Sequence, residues 1–188
     1  MLDPINFVVW NIRGASKMDS LRYLKKMKFD FNVKILVLLE PMSNEGHLDF
    51  VKRFVGYKSV ASFVDGKIWV LWDLALTISF TTFADQLVDM EFSSPTGTLF
   101  LSVIYTRCTG AARRPLLSAM ESLAISRQGP WMLAGDFNSI SAASERLRGA
   151  PPNARNMEDF NQTIFNCGLV SVDFEGTKFT WTNGTSWQ

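Results

Sequence analysis

The chain has 188 residues, of which 47% are hydrophobic and 20% are charged, and its formal net charge is +1. This length allows one domain with a sizeable core, and the composition excludes an intrinsically disordered chain. The near-neutral charge excludes attraction of nucleic acid by a field of the whole molecule, so only a local basic patch could act in that way. No apolar run reaches the roughly 18–20 residues of a membrane span, and the N-terminus lacks the basic start of a signal peptide. We therefore expect neither a signal peptide nor contact with a membrane.

Apolar segments predict β-strands along the whole chain. Continuous apolar runs are typical of strands covered on both faces, and they lie at residues 5–10, 34–39, 67–72, 98–105 and 131–135. Two further runs, at residues 76–82 and 86–92, alternate apolar and polar residues and predict strands with one wet face.

Helices are predicted between these strands. Ser16 and Asp19 predict a capping box ahead of an apolar stripe from Met18 to Met27. A second helix is predicted to open at Ser43, with Gly56 just beyond its end, and a third is predicted to begin at Pro115. A fourth has an apolar stripe from Met157 to Cys167 and is followed by Gly168. Residues 141–156 are predicted to form a long loop. This order predicts an α/β fold, in which two β-sheets pack face to face with helices outside, within a single domain over residues 1–188.

Polar side chains end several of the apolar strands. Asn11 follows the first strand, Glu40 follows the second, and Tyr105 ends a later one, while Asp136 and Asn138 follow "WMLAG". Because ligand sites gather at the carboxyl ends of strands in α/β sheets, we expect these side chains to converge. Their oxygen atoms suit Mg²⁺, with Mn²⁺ as an alternative, and a carboxylate beside the metal can activate a water. Taken alone, Asp-x-Asn is equally typical of an Asx turn, so only the shared position favours a site.

Basic residues are concentrated in two places. One is residues 11–34, which include Arg13, and the other holds Arg107, Arg113 and Arg114. Both are candidate phosphate contacts, with their surface position inferred from patterning, and a solvated helix face is the alternative interpretation of the first. The two cysteines have no second ligand at metal-binding spacing, which indicates a reducing compartment or core thiols.

Five motifs occur in an order typical of one enzyme family. They are "WNIRG" (10–14), "LVLLEPM" (36–42), "SVIY" (102–105), "GDFN" (135–138) and "FTWTNG" (179–184). With them the chain resembles the endonuclease/exonuclease/phosphatase family, which has the DNase I-like fold. Within that family it is most similar to the endonuclease domain of plant LINE-type non-LTR retrotransposons, from Phe7 to Trp187. The resemblance implies a two-sheet α/β sandwich, Mg²⁺-dependent cleavage of DNA and action in the nucleus.

The resemblance also implies roles for the strand-end residues. Glu40 would ligate the metal, and Asn11 would support both metal and phosphate. Asp136 would orient or activate the attacking water. Asn138 and Tyr105 would contact the scissile phosphate.

The sequence departs from this family at its C-terminal end. The family continues into a Ser-Asp-His motif whose histidine acts on the phosphate, whereas this sequence ends at Gln188 and its one histidine is His47. We therefore expect the domain to lack its C-terminal segment, to cleave weakly or not at all, and to expose the edge of the strand at 5–10 to a protein partner. The alternatives are a catalytically dead remnant that binds nucleic acid or protein, and a phosphatase or lipid phosphodiesterase of the same fold.

Overall fold

The computed structural model describes residues 5–73, 77–94 and 97–179. In chain order the elements are β1 (Asn6–Asn11), α1 (Met18–Asp30), β2 (Val33–Leu39), α2 (Glu45–Val55), β3 (Ser59–Phe63), β4 (Ile68–Trp72), β5 (Ile78–Phe83), β6 (Leu87–Ser94), β7 (Gly97–Tyr105), α3 (Gly110–Ser126), β8 (Trp131–Asp136) and α4 (Ala154–Asn166). These form two compact units: residues 1–106 with 128–136, and residues 107–127 with 137–188.

The first unit contains two four-stranded mixed sheets. Their strand orders are β1-β2-β4-β3 and β5-β6-β7-β8. In each sheet one outer pair is parallel, β1 with β2 and β7 with β8, and the other pairs are antiparallel. Side chains from both sheets share one buried cluster, whose members include Ile35, Val37, Ile68, Val88, Met90, Leu101 and Val103. The predicted two-sheet α/β sandwich is confirmed.

Helices α1 and α2 cover the opposite face of the first sheet. Leu21 and Leu24 of α1 share a second buried cluster with Val51 of α2 and with Leu36 and Leu38 of β2. Strand β2 is therefore buried on both faces, which explains its continuous apolar run.

Strand β6 corrects the prediction of a wet face at residues 86–92. Asp89 is buried on the face opposite Val88 and Met90. Its carboxylate accepts a 2.5 Å hydrogen bond from Ser102 Oγ, which in turn accepts one of 2.9 Å from Trp131 Nε1. A polar side chain can be buried in this way because its cross-strand neighbours satisfy it, and alternation alone does not reveal such partners. Strand β5 keeps the predicted exposed positions, and Leu76 of the predicted 76–82 strand lies outside the described residues.

Two predicted helix starts are wrong. The N-cap of α1 is Lys17, without a side-chain cap, and Asp19 pairs with Arg22 instead of joining a capping box with Ser16. Helix α3 begins five residues before Pro115, because Thr109 accepts a capping hydrogen bond from the backbone nitrogen of Ala112.

A third predicted start is displaced by one residue, because Asn44, rather than Ser43, caps α2. The predicted helix ends agree with the structure, and Gly56 ends α2 in the left-handed conformation. Gly168 follows α4 with φ +65°, as predicted for a C′ residue. Strand β3 was not predicted, because "SVASF" holds small and polar residues and is a strand only through its pairing with β4.

In the second unit, α3 and α4 pack on each other. Asn166 Nδ2 donates a 2.7 Å hydrogen bond to Glu121 Oε1, and the rings of Phe137 and Phe160 are 5.4 Å apart. The predicted loop at 141–156 contains a 3₁₀ turn at Ala143–Glu145 and the first turn of α4. No helix in the part of the chain that the structure describes has the length and apolar content needed to cross a bilayer.

Gly135→Ala should destabilise the fold more than a glycine substitution that strains only the backbone. A Cβ at Gly135 would overlap the carbonyl oxygen of Ile104 and lie 2.8 Å from its backbone nitrogen, at a φ of +140°. We expect the free energy of unfolding to fall by at least about 2 kcal/mol. Gly66→Ala is the control, because φ there is +79° but no atom lies within 4 Å of the added Cβ, and about 1 kcal/mol is expected. Urea unfolding measures both, and equal losses would contradict the prediction.

Candidate active site

The two parallel strand pairs deliver polar residues to their carboxyl ends. In the first sheet, Asn11 is the last paired residue of β1, opposite Leu39, and Glu40 follows directly. In the second sheet, Tyr105 of β7 pairs with Asp136 of β8. All four polar residues belong to the first unit.

Hydrogen bonds join these four residues, which we call the oxygen cluster. Asn11 Nδ2 donates to Glu40 Oε1 at 3.3 Å and to Asp136 Oδ2 at 3.0 Å. The hydroxyl of Tyr105 donates to Glu40 Oε1 at 3.2 Å. The two carboxylates, one from each sheet, therefore lie close together, because both accept a hydrogen bond from the same amide nitrogen. This convergence was expected from their positions at strand ends. Their roles in catalysis remain predictions.

Backbone hydrogen bonds extend the β1–β2 ladder beyond the strands. Gly14 N donates to Glu40 O at 2.9 Å, and Ala15 N donates to Pro41 O at 2.7 Å. The loop after β1 is therefore held beside Glu40, and Arg13 Nε lies 3.3 Å from Glu40 Oε2. Both Glu40 and Arg13 have left-handed backbones, with φ of 49° and 47°, a conformation that costs on the order of 1–2 kcal/mol for such residues. Strain of this kind often marks functional sites.

Arg13 was predicted to contact DNA. Its side chain is 54% exposed, whereas the Glu40 side chain with which it pairs is only 13% exposed. Arg13 thus offsets part of the negative charge of the oxygen cluster and can still reach a ligand from solvent. The sequence did not reveal this ion pair, since it depends on the ladder between the 12–15 loop and Glu40.

The oxygen cluster fits a hard divalent cation. Carboxylates only accept hydrogen bonds, so the Asn11 amide must turn its Nδ2 to Glu40 and Asp136. Its Oδ1 is then buried and has no hydrogen-bond partner among the described residues. A buried acceptor in that state costs about 1–3 kcal/mol, which a cation or its water would relieve. The described residues contain no group of three or more His, Cys, Asp or Glu side chains suited to a metal, but Mg²⁺ typically needs only one or two carboxylates beside water and substrate.

The basic residues of the second unit divide into buried and exposed ones. Arg113 is only 6% exposed, and burial lowers the pKa of its guanidinium. Its predicted surface position is wrong, because it shares the buried stripe of α3 with Leu116 and Met120. Arg107 and Arg114 are exposed, as expected for phosphate contacts.

Arg113 organises the segment that contains Asn138. Its Nη1 donates to the carbonyl oxygen of Asn138 at 2.7 Å and to that of Cys108 at 3.2 Å. Asn138 itself is exposed and has a φ of 44°. Only a helical-wheel argument that placed Arg113 in line with Leu116 could have indicated this role from the sequence.

His47 and the last sequence motif complete the set of predicted features. His47 is half-buried, and its Nε2 lies 3.2 Å from the carbonyl oxygen of Ala15. Of the "FTWTNG" motif, Phe179 is described and residues 180–184 lie outside the described residues.

Solved structures share this arrangement of sheets. The endonuclease domain of TRAS1, a telomere-specific non-LTR retrotransposon, matches with a TM-score of 0.59 at 16% identity, over 88% of this chain and 73% of that domain. The AP endonuclease LMAP from Leishmania major matches with a TM-score of 0.62 at 14% identity, over 87% of this chain and 66% of that one. The chain has the DNase I-like fold.

A third solved structure also matches the fold of this chain. Beta toxin from Staphylococcus aureus matches with a TM-score of 0.57 at 14% identity, over 95% of this chain and 76% of that one. No protein-family model and no curated protein sequence matches the chain. At these identities the similarities show the fold alone, so the resemblance to plant LINE-type domains stays a prediction.

Asn11→Asp should make stability depend on divalent cations. The substitution places a third carboxylate beside Glu40 and Asp136 and removes their shared donor. In EDTA we expect the free energy of unfolding to fall by about 1–3 kcal/mol through repulsion and lost hydrogen bonds. Added MgCl₂ should restore much of it, as measured by urea unfolding with and without the metal.

Asn6→Asp is the matched control for this prediction. Asn6 lies on the same strand and donates to the carbonyl oxygen of Phe31, away from both carboxylates. Its variant changes the charge equally but should not respond to Mg²⁺. An identical Mg²⁺ response of the two variants would contradict a metal site at the oxygen cluster.

Proposed function

We propose that this chain is a divalent-metal-dependent phosphodiesterase domain of the endonuclease type, with DNA as its substrate. The observation that carries the proposal is the shared Asn11 amide, which holds Glu40 and Asp136 side by side at the ends of strands from two sheets. The DNase I-like fold, found also in a retrotransposon endonuclease and an AP endonuclease, supports it. The sequence motifs favour a plant LINE-type origin.

The electrostatics of the oxygen cluster call for a cation. Two neighbouring carboxylates repel a phosphodiester, and Arg13 offsets only part of their charge. Glu40 and Asn11 would hold Mg²⁺. The bound ion would neutralise negative charge on a phosphoryl oxygen. Cleavage is therefore expected to need a divalent metal.

The remaining residues of the cluster supply water activation and phosphate binding. The carboxylate of Asp136 is kept in place by Asn11 and can accept a proton from an attacking water. The Tyr105 hydroxyl, which donates to Glu40 at 3.2 Å, can donate to a phosphate oxygen instead. The predicted contact of Asn138 with the phosphate is part of the same proposal.

No imidazole belongs to the oxygen cluster. The one histidine of the sequence, His47, is bonded to the carbonyl of Ala15 and not to any cluster residue. A positioned acid–base group typically contributes about 10²–10⁴-fold to the rate, so slow cleavage is expected from these residues alone.

The lack of an imidazole in the oxygen cluster favours a second candidate function, which is binding of nucleic acid without cleavage. Arg107 and Arg114 are exposed cations that could contact phosphates. Among the described residues β1 pairs only with β2, and we propose its other edge as the place where a protein partner would pair in either case.

Nicking of supercoiled plasmid DNA tests the enzymatic proposal. We expect slow conversion to open circles that requires Mg²⁺ and stops in EDTA, as measured on agarose gels. Asp136→Ala should lower the rate at least about 100-fold, because the water-activating carboxylate is lost. Asp19→Ala, at an exposed carboxylate on α1, should leave the rate unchanged.

The controls separate the outcomes. Nicking that survives in Asp136→Ala would come from a contaminating nuclease and not from this chain. Absence of nicking by the unaltered chain, with DNA binding retained, would favour the second candidate function.

The affinity for duplex DNA is expected to fall steeply with added salt, since the proposed contacts are to phosphates. Arg114→Ala should weaken binding and reduce the salt slope by about one. Arg113→Ala should instead lower the free energy of unfolding, because the buried guanidinium donates hydrogen bonds to two carbonyl groups of its unit. Fluorescence anisotropy over a KCl series measures the first effect, and salt-independent binding would contradict it.

A further inference from the structure

Helix α2 carries a row of aromatic side chains on one face. His47, Phe50 and Phe54 are spaced by three and four residues, so they lie one above the other along the helix. The ring centres of His47 and Phe50 are 5.1 Å apart, and those of Phe50 and Phe54 are 5.8 Å apart. Phe50 is 40% exposed. The row therefore presents aromatic faces or edges at the surface of the first unit.

A neighbouring row on α1 is basic and apolar. Arg22, Lys25 and Phe29 share one face of α1, and all three are exposed, Phe29 to 87%. Lys25 Nζ lies 5.4 Å from the centre of the Phe54 ring, which places the two rows side by side. We call the six residues of the two rows the α1–α2 surface.

The cations of this surface are available to a ligand. Lys25 makes no ion pair with a carboxylate among the described residues, and its Nζ lies over the Phe54 ring instead. Arg22 pairs with Asp19, but both side chains are exposed, so the pair contributes little and exchanges readily.

The chemistry of the surface matches single-stranded nucleic acid. Exposed rings provide stacking platforms for unpaired bases, and adjacent cations contact the phosphates between them. Duplex DNA keeps its bases stacked internally and cannot use the rings in this way. A docking protein helix would need a continuous apolar groove, which Arg22 and Lys25 interrupt.

The aromatic row begins close to the oxygen cluster. His47 Nε2 contacts the carbonyl of Ala15, whose backbone nitrogen donates to the carbonyl of Pro41, the residue after Glu40. A strand that leaves the cluster on this side would therefore meet His47 first and then Phe50.

We propose that the α1–α2 surface binds single-stranded nucleic acid through base stacking on Phe50 and phosphate contacts to Lys25. This activity extends the proposed function and does not require cleavage. It is therefore tested in EDTA, where nicking cannot occur.

The experiment is a fluorescence anisotropy titration of a labelled oligothymidylate of about 20 nucleotides with the full chain, at low and moderate salt. Phe50→Ala should weaken binding at least about fivefold, the effect of losing one stacked base. Lys25→Gln should weaken it at low salt and reduce the salt slope. Unlabelled duplex of the same length should compete poorly.

Matched variants control for nonspecific effects. Phe165→Ala removes an aromatic side chain that is 79% exposed on α4, and Arg155→Gln removes an exposed cation of the same helix. Both should keep the original affinity, and urea unfolding should show that all variants are folded.

Three results would overturn the proposal. One is the absence of oligonucleotide binding by the unaltered chain, which would leave a protein as the occupant of the surface. The second is equal binding by Phe50→Ala and Phe165→Ala. The third is competition by duplex DNA as strong as that by the single strand.

Discussion

The side-chain amide of Asn11 bridges Glu40 and Asp136, and the arrangement of the oxygen cluster depends on this contact. Two carboxylates this close repel each other, and the neutral amide between them donates a hydrogen bond to each. An amide suits this position because a third carboxylate would add charge and an aliphatic residue would add no hydrogen bond. Its remaining oxygen is buried without a partner among the described residues, which leaves the cluster incomplete in a way that a cation would complete.

The sheets give this contact its rigidity. Each sheet is mostly antiparallel, yet each has one outer parallel pair, and the cluster lies at the ends of those two pairs. Close approach of β8 to β7 requires the glycine at position 135, next to Asp136, because a Cβ there would meet the backbone of Ile104. Similarly, the ladder from the 12–15 loop to Glu40 and Pro41 holds the other carboxylate and Arg13. Strained backbones at Arg13 and Glu40 are tolerated because these hydrogen bonds hold them in place.

The same loop links the cluster to the α1–α2 surface. Ala15 contacts both Pro41, beside the catalytic candidate Glu40, and His47, the first ring of the aromatic row. A phosphate-handling site and a base-stacking surface would thus share one short structural element. Binding and cleavage can nevertheless be separated experimentally, since cleavage is expected to need a divalent metal and base stacking is not.

Local sequence determined the strands of continuous apolar residues, the two-sheet α/β class and the glycine ends of α2 and α4, because burial and chain reversal leave local signatures. It also indicated which polar residues stand at strand ends. Tertiary structure alone decided that Asn11 bonds to Asp136, 125 positions away, that β3 pairs as a strand, and that Arg113 is buried beside Asn138. Such contacts depend on which distant segments meet, and a pattern within one segment records how much of it is buried but not which partner buries it.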